Sequence, residues 1–302
     1  MLATAGTQSS PTEDPIKRST VSWRLRVAQR LNRYADGVGQ LPRPLARLLM
    51  PPALLLFEGI ALGLMSSQDV DEMVVETYRS HPEFYDPRDY RIAYEERLVP
   101  VLKRVSEDRR LLDAFCGQGR EAGIFAKAGF NVTGVDHFQW MIDAAKDFAQ
   151  ESGFDANFVA SDFYRFTTEP GFDIVYTSCW MYSTCQGKEQ RIRLLNKCSE
   201  LATPSGLIVV STVDASVGSS FAAVIRFLLA KLTAMVTLGN TRTEFGERIY
   251  RKLFWHHLSE TTVRREARSC GLKIVEIVDG SGIEPHFYVL ARESSPNAET
   301  QG

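Results

Sequence analysis

The sequence predicts an α/β fold: a predominantly parallel, seven-stranded sheet that ends in an antiparallel hairpin, with a helical segment in front of it. Three observations predict it. From residue 110 onward short apolar runs alternate with segments of helical period, the pattern of parallel βαβ units. Glycines close the helical segments where a left-handed cap is wanted. The last two strand-like runs lie too close together for a crossover, so they must pair antiparallel.

In order along the chain, "RLLDAFC" (110–116) is a strand and "GREAGIFAKAG" a helix ending at Gly129. "FNVTGVD" is the second strand, and "FQWMIDAAKDFAQESG" a second helix closed by glycine. "ANFVAS" and "FDIVYTS" supply strands three and four. "KEQRIRLLNKCSELATPSG" reads as a helix running into a Pro-Gly turn, and "LIVVSTV" as strand five. After a helix near 257–270, "LKIVEIVD" and "PHFYVLARE" form the terminal hairpin.

Residues 21–107 read as mostly helical, with breaks at Pro42, Pro51, Pro82 and Pro100. The expected organisation is a disordered tail over 1–19 and a helical cap segment over 20–107. The main domain spans 108–292, with a helical insert at 217–257, and a second tail covers 293–302.

Bulk properties narrow the function. A net charge of −2 gives no electrostatic reason for a nucleic acid partner. The first fifty residues are locally basic, with eight Lys and Arg against three acids, a pattern common on solvated helix faces. The five cysteines lack paired spacing, which fits reduced thiols and a cytoplasmic protein. No HExxH or CxxC spacing occurs, and none of the chemistry calls for a metal. The N-terminus has no apolar h-region of a signal peptide. The apolar stretch 45–65 carries Arg47, Pro51, Pro52 and Glu58, so it reads as two short packed helices, with a peripheral membrane contact as the sharper alternative.

The glycines raise the question of a ligand. Gly117-Gln118-Gly119-Arg120-Glu121-Ala122 satisfies G-x-G-x-x-A after a strand, and Asp136 follows nineteen residues beyond Gly117, as a dinucleotide site asks. Asp113 at the first strand's end pulls the other way. A carboxylate there can accept from an ammonium group, which NAD does not offer at that place.

At this point the chain resembles the class I S-adenosylmethionine-dependent methyltransferases, whose domain is Rossmann-like. "DAFCGQG" (113–119) is similar to the family's D-x-G-C-G-x-G, with Phe115 in place of the first glycine. "GVDHFQWMIDAA" (134–145) resembles the second-strand motif, an acid followed five residues later by Met. "ASDFYRF" (160–166), "FDIVYTSCWMY" (172–182) and "FWHHLSETTVRREARSCGLKIVEI" (254–277) resemble the later motifs in order.

The resemblance implies S-adenosylmethionine as cofactor and methyl transfer as the reaction. It implies cofactor contacts from Asp113, Phe115, Gly117, Gly119, Asp136, Phe138, Met141, Asp162, Phe163 and Ser178. Asp136 would accept from the ribose hydroxyls and Asp162 would meet the adenine edge. Phe138 and Met141 would flank the ring.

"D-x-F-C-G-x-G" also occurs in enzymes that methylate nucleic acid bases, so that alternative stays open, as does a cofactor-binding scaffold without catalysis. The fourth strand carries "TSCWMY" where amino-methylating DNA enzymes use [DNS]-P-P-[YFW]. Cys179 lacks the Pro-Cys context of a nucleophile. The favoured acceptor is a small, largely apolar molecule. Tyr78, Tyr90, Tyr94 and Trp180 are the candidate acceptor contacts, and His257 and Tyr182 the candidate catalytic groups. The 217–257 insert would help to roof the site or else form a homodimer contact.

Overall fold

The computed structural model describes residues 22–81, 86–88, 93–105, 110–214, 220–250, 252–280 and 284–293. Tyr90 and, apart from Glu293, both expected tails lie outside them.

The N-terminal segment forms α1 (Trp23–Gly39), α2 (Arg43–Leu64) and α3 (Ser67–Ser80), then a 3₁₀ turn (Tyr94–Arg97) and α4 (Leu98–Val105). Two of these starts have a side-chain cap. Ser22 accepts from the Leu25 amide ahead of α1, and Ser66 with Asp69 forms a reciprocal capping box on α3. Residues 45–65 are not two short helices. α2 is one 22-residue helix that runs through Pro51 and Pro52, and it is long and apolar enough to cross a membrane by length and composition. The prolines remove two backbone donors, but the helix beyond them is held by packing. Gly59 lies against Leu229 and Arg226, and Gly63 against Ala230 and Thr233, so two backbones meet where any Cβ would collide.

The sheet is built from β1 (Arg110–Ala114), β2 (Asn131–Asp136), β3 (Asn157–Ala160), β4 (Phe172–Thr177) and β5 (Ala202–Asp214). Between them lie α5 (Arg120–Lys127), α6 (Gln139–Ser152), α7 (Met181–Thr184) and α8 (Gly187–Leu201). β3-β2-β1-β4-β5 are all parallel. The Pro-Gly turn expected before strand five is instead the start of β5, which opens by pairing Ala202 with Phe172.

After β5 come α9 (Phe221–Thr237), β6 (Glu247–Tyr250), β7 (Leu253–Leu258), α10 (Glu260–Ser269), β8 (Leu272–Val278) and β9 (His286–Arg292). β9 pairs antiparallel with both β5 and β8, which gives the expected terminal hairpin. The 217–257 insert is only half helical. Its second part is the β6–β7 hairpin, which joins the sheet where the end of β5 pairs with His257 and Leu258. Residues Phe254, His256 and Leu258 are buried at period two, a strand pattern already present in the sequence.

Two apolar layers seal the sheet. α8 and α10 cover one face through Leu194, Leu195, Val263 and Ala267, and α4, α5 and α6 cover the other through Leu98, Phe125 and Ile142. A third core joins α1, α2 and α3 to α9 and the hairpin, through Leu25, Leu62, Met73, Ala230 and Phe254. The N-terminal helices and the insert are therefore one structural unit. It stands at the carboxyl side of β5, and Thr77 of α3 donates to the Lys252 carbonyl across it.

Candidate active site

The site begins where β1 ends. Phe115, Gly117 and Gly119 have φ of 64°, 51° and 83°, so the loop between β1 and α5 turns through three left-handed residues. Glycine takes this conformation freely and phenylalanine does so under strain. The chain thus keeps the backbone of a glycine position while holding an aromatic ring there, braced on Phe163 at 4.8 Å between centroids. At Gly119 a Cβ would also meet Ala145 at 3.1 Å and Phe158 at 3.2 Å.

This loop floors a cavity of about 330 Å³ at the carboxyl ends of β1, β2 and β4, where open α/β sheets bind ligands. Asp136 defines one end. Its Oδ2 accepts from the Gly117 amide and its Oδ1 from the Phe138 amide, both at 3.0 Å. Burial raises its pKa while these amides pull it back, so the carboxylate is pre-oriented and keeps lone pairs for donors in the cavity. Phe138 and Met141 wall this end, and Arg79 of α3 lies 5.6 Å from the Phe138 ring centre.

The other end is acidic. Arg120 grips Glu95 with two bonds of 3.0 and 2.8 Å and reaches Glu121 at 2.7 Å, and Tyr176 donates to Glu95 at 3.3 Å. Behind this group the buried Asp113 accepts from Ser178 at 3.1 Å through Oδ1, while its Oδ2 has no hydrogen-bond partner among the described residues. Burial, together with the Glu121 charge, holds the Asp113 carboxyl well above the ordinary carboxylate range. Three carboxyls against one guanidinium make a place that would be relieved by a cationic ligand group such as an α-ammonium. The indole Nε1 of Trp180 is a second buried group without a partner.

Of the residues expected at the cofactor, Phe115, Gly117, Asp136, Phe138, Met141 and Ser178 line the cavity. Asp113 stands behind Ser178, and Gly119 turns the loop beneath. Asp162 and Phe163 are not in the lining: Asp162 accepts from the Tyr164 amide at 2.8 Å in its own turn, and Phe163 packs behind Phe115. Tyr78 and Trp180 line the cavity, and Tyr94 touches it only through Trp180, with ring centres 5.9 Å apart.

Neither expected catalytic group is there. Tyr182 is fully buried and donates to Glu266 at 2.6 Å, and burial and the Glu266 charge push its phenol far up. His257 lies on β7, away from the lining, with its amide on the Gly246 carbonyl. Cys179 does line the cavity, but burial and the charges of Glu95 and Glu121 keep its thiol protonated, the opposite of an activated nucleophile.

Sequence reasoning missed Glu95, Val75, Gln118, Arg120, Glu121, His137 and Met181. Only Glu121 had a local signal, an acid in the first turn of a helix after a glycine loop. Among the described residues Glu244, Glu247 and His256 bring ligand-type atoms together. The His256 nitrogens face Arg191 and the Phe245 carbonyl at 3.0 Å each, so the imidazole has no lone pair left for an ion.

A β3-β2-β1-β4-β5 sheet with a terminal antiparallel hairpin, a glycine loop after β1 and an acid closing β2 defines the class I S-adenosylmethionine-dependent methyltransferases. Comparison with known proteins agrees. Residues 111–206 match a family described as "Methyltransferase domain". The chain is 26% identical over 208 residues to a ubiquinone biosynthesis O-methyltransferase of Coxiella burnetii, covering 67% of this chain and 76% of that one. It is 31% identical over 114 residues to the protein of the same name from Actinobacillus pleuropneumoniae, covering 35% and 46%. With several such relatives the match spans about half their length. The fold is shared with the 1,6-didemethyltoxoflavin-N1-methyltransferase of Burkholderia thailandensis, at a TM-score of 0.55, 17% identity and coverage of 77% and 92%. Residues 111–206 of this chain are a methyltransferase domain, and the fold around them is that of solved S-adenosylmethionine-dependent methyltransferases.

Proposed function

We propose that this enzyme methylates a small, largely apolar molecule, with a hydroxyl as acceptor atom, and that residues 20–107 form a cap on the 108–292 domain. The observation that carries the reading is one cavity with two unlike ends. Asp136 and the glycine loop present fixed acceptors at one end, and Arg120 with three carboxyls presents charge at the other. Between them Val75, Tyr78, Trp180 and Met181 offer apolar surface to an acceptor. The hydroxyl rests on the O-methyltransferase relatives, and at these identities their pathway is not carried over.

S-adenosylmethionine, when bound, would supply an activated methyl, which the acceptor's lone pair would take up while the pair of the C–S bond stayed on sulfur. The protein contributes alignment and exclusion of water. Asp136 would accept from the ribose hydroxyls, and Phe138 and Met141 would pack on the adenine. Glu121 and Arg120 in the lining, with Asp113 behind Ser178, would hold the methionine ammonium and carboxylate, and the Trp180 indole would donate to the acceptor oxygen. Among the described residues no imidazole lines the cavity beside Arg120. His137, the histidine in its wall, adjoins Asp136 at the other end. Transfer therefore rests on positioning, and the acceptor's proton passes to solvent as the methylated product leaves the site.

Free thiols at all five cysteines support a cytoplasmic setting. The exposed apolar helices of the cap fit either a membrane contact or a homodimer. The test of the acceptor class is incubation with methyl-labelled S-adenosylmethionine and cell extract. Label is expected in the organic phase. Label confined to nucleic acid or protein, or no label while a stable partner protein co-purifies, overturns the reading.

A further inference from the structure

The outer face of α9 is unusual for a surface helix. Phe221, Val224, Leu228, Leu232, Met235 and Val236 are all exposed at spacings of three and four, which places them on a single face. Phe221, Met235, Val236 and the following Leu238 are between 72% and 82% exposed. The polarity of the helix is inverted: Arg226 turns inward and pairs with the buried Glu58, which also binds Arg248. The N-terminal half of α2 adds exposed Leu45, Leu48 and Leu49. An apolar face of this extent marks an interaction surface.

Charge decides between occupants. Arg26, Arg30 and Arg33 on α1 and Arg43 and Arg47 on α2 are exposed. Across α1, α2 and α9 the only acids are Asp36 and Glu58, and Glu58 is consumed inside. A second copy docked on this face would bring two such basic sets together, because a two-fold interface presents the same patch twice. An anionic lipid surface answers both features, taking apolar side chains into the acyl boundary and arginines at the headgroups.

We propose that the α9 face, with the exposed half of α2, docks in the plane of an anionic membrane. Spanning is disfavoured because the second half of α2 is locked against α9 through Gly59 and Gly63 and would carry Glu58 into hydrocarbon. α9 is the next described element after β5, whose Ser211 holds the Trp180 amide at the cavity wall. α3 also carries Val75 and Tyr78 of the cavity lining and shares a core with α9 through Met73 and Ala230, so docking sets the cavity near the acyl boundary, where an apolar acceptor dissolves. The proposal extends the reading of an apolar acceptor, and its test involves no methyl transfer, so the two can fail separately.

The experiment is flotation of the full-length protein with vesicles of phosphatidylcholine alone or mixed with phosphatidylglycerol. Binding is expected to the mixed vesicles, weakened by high salt. The pair Leu228→Glu and Leu232→Glu should lower vesicle binding at least about tenfold while leaving S-adenosylhomocysteine affinity unchanged, which also reports an intact fold. Should that pair not fold, Arg43→Glu with Arg47→Glu tests the electrostatic half. Wild-type protein that ignores mixed vesicles overturns the proposal. So does a wild-type dimer that ignores vesicles and that Leu228→Glu with Leu232→Glu makes monomeric.

Discussion

Replacing Asp136 with alanine tests the cofactor end of the cavity with a magnitude that can be worked from the structure. The carboxylate holds the Gly117 and Phe138 amides at 3.0 Å each, so the substitution removes the proposed ribose acceptor and loosens the loop that carries Gly117. A charge-assisted hydrogen bond to the ligand is worth about 1.5–3 kcal/mol, which corresponds to roughly 10- to 150-fold in affinity. Calorimetric titration with S-adenosylhomocysteine reads this directly, with circular dichroism to establish that the variant folds. Asp136→Asn is the control for packing. Its amide nitrogen must face one of the two backbone donors, so it too should bind weakly. A folded Asp136→Ala variant within about twofold of wild type would refute the assignment of Asp136 to the ribose.

Cofactor binding should tighten as pH rises from the ordinary carboxylate value through the raised pKa of Asp113, because an ammonium ligand favours the ionised form. The free protein should show the reverse: its folded state holds the Asp113 proton more tightly than the unfolded chain does, so stability falls over the same window. Titrations in buffers of different ionisation enthalpy should record proton release on binding. Cys179→Ala should retain methyl transfer, since the thiol is held protonated, and a dead but cofactor-binding variant would revive a thiolate mechanism. Deleting residues 1–19 should leave activity unchanged. Deleting 1–96 removes Val75, Tyr78 and the Glu95 partner of Arg120 and should abolish transfer in the standard rate assay, whereas a fully active truncation would place the roof elsewhere.

The parallel core was legible because local chemistry repeats there. The first two apolar runs of strand length are each followed by a helix stopped at a glycine, Gly129 and Gly153, and Asp136 ends a buried run where an unpaired acid is costly. Phe115 was legible as a departure, but that it keeps a left-handed backbone was not. The acidic end was hidden because Glu95 and Arg120 meet across 25 positions of sequence, and no periodicity reports such a pair. Tyr182 misled for the opposite reason: it follows the fourth strand as a site residue would, yet the αL turn at Trp180 sends it into the core to Glu266. In α2 the prolines read as a break, while packing on α9 through Gly59 and Gly63, a long-range effect, kept one helix.

The central claim is that the loop after β1 and the acid of β2 hold an S-adenosyl cofactor and not a dinucleotide. Calorimetry of the full-length protein against S-adenosylmethionine, its demethylated product and NAD tests it most directly. Micromolar binding of the first two is expected, and none of the third. Binding of NAD with no heat from either S-adenosyl compound would contradict it.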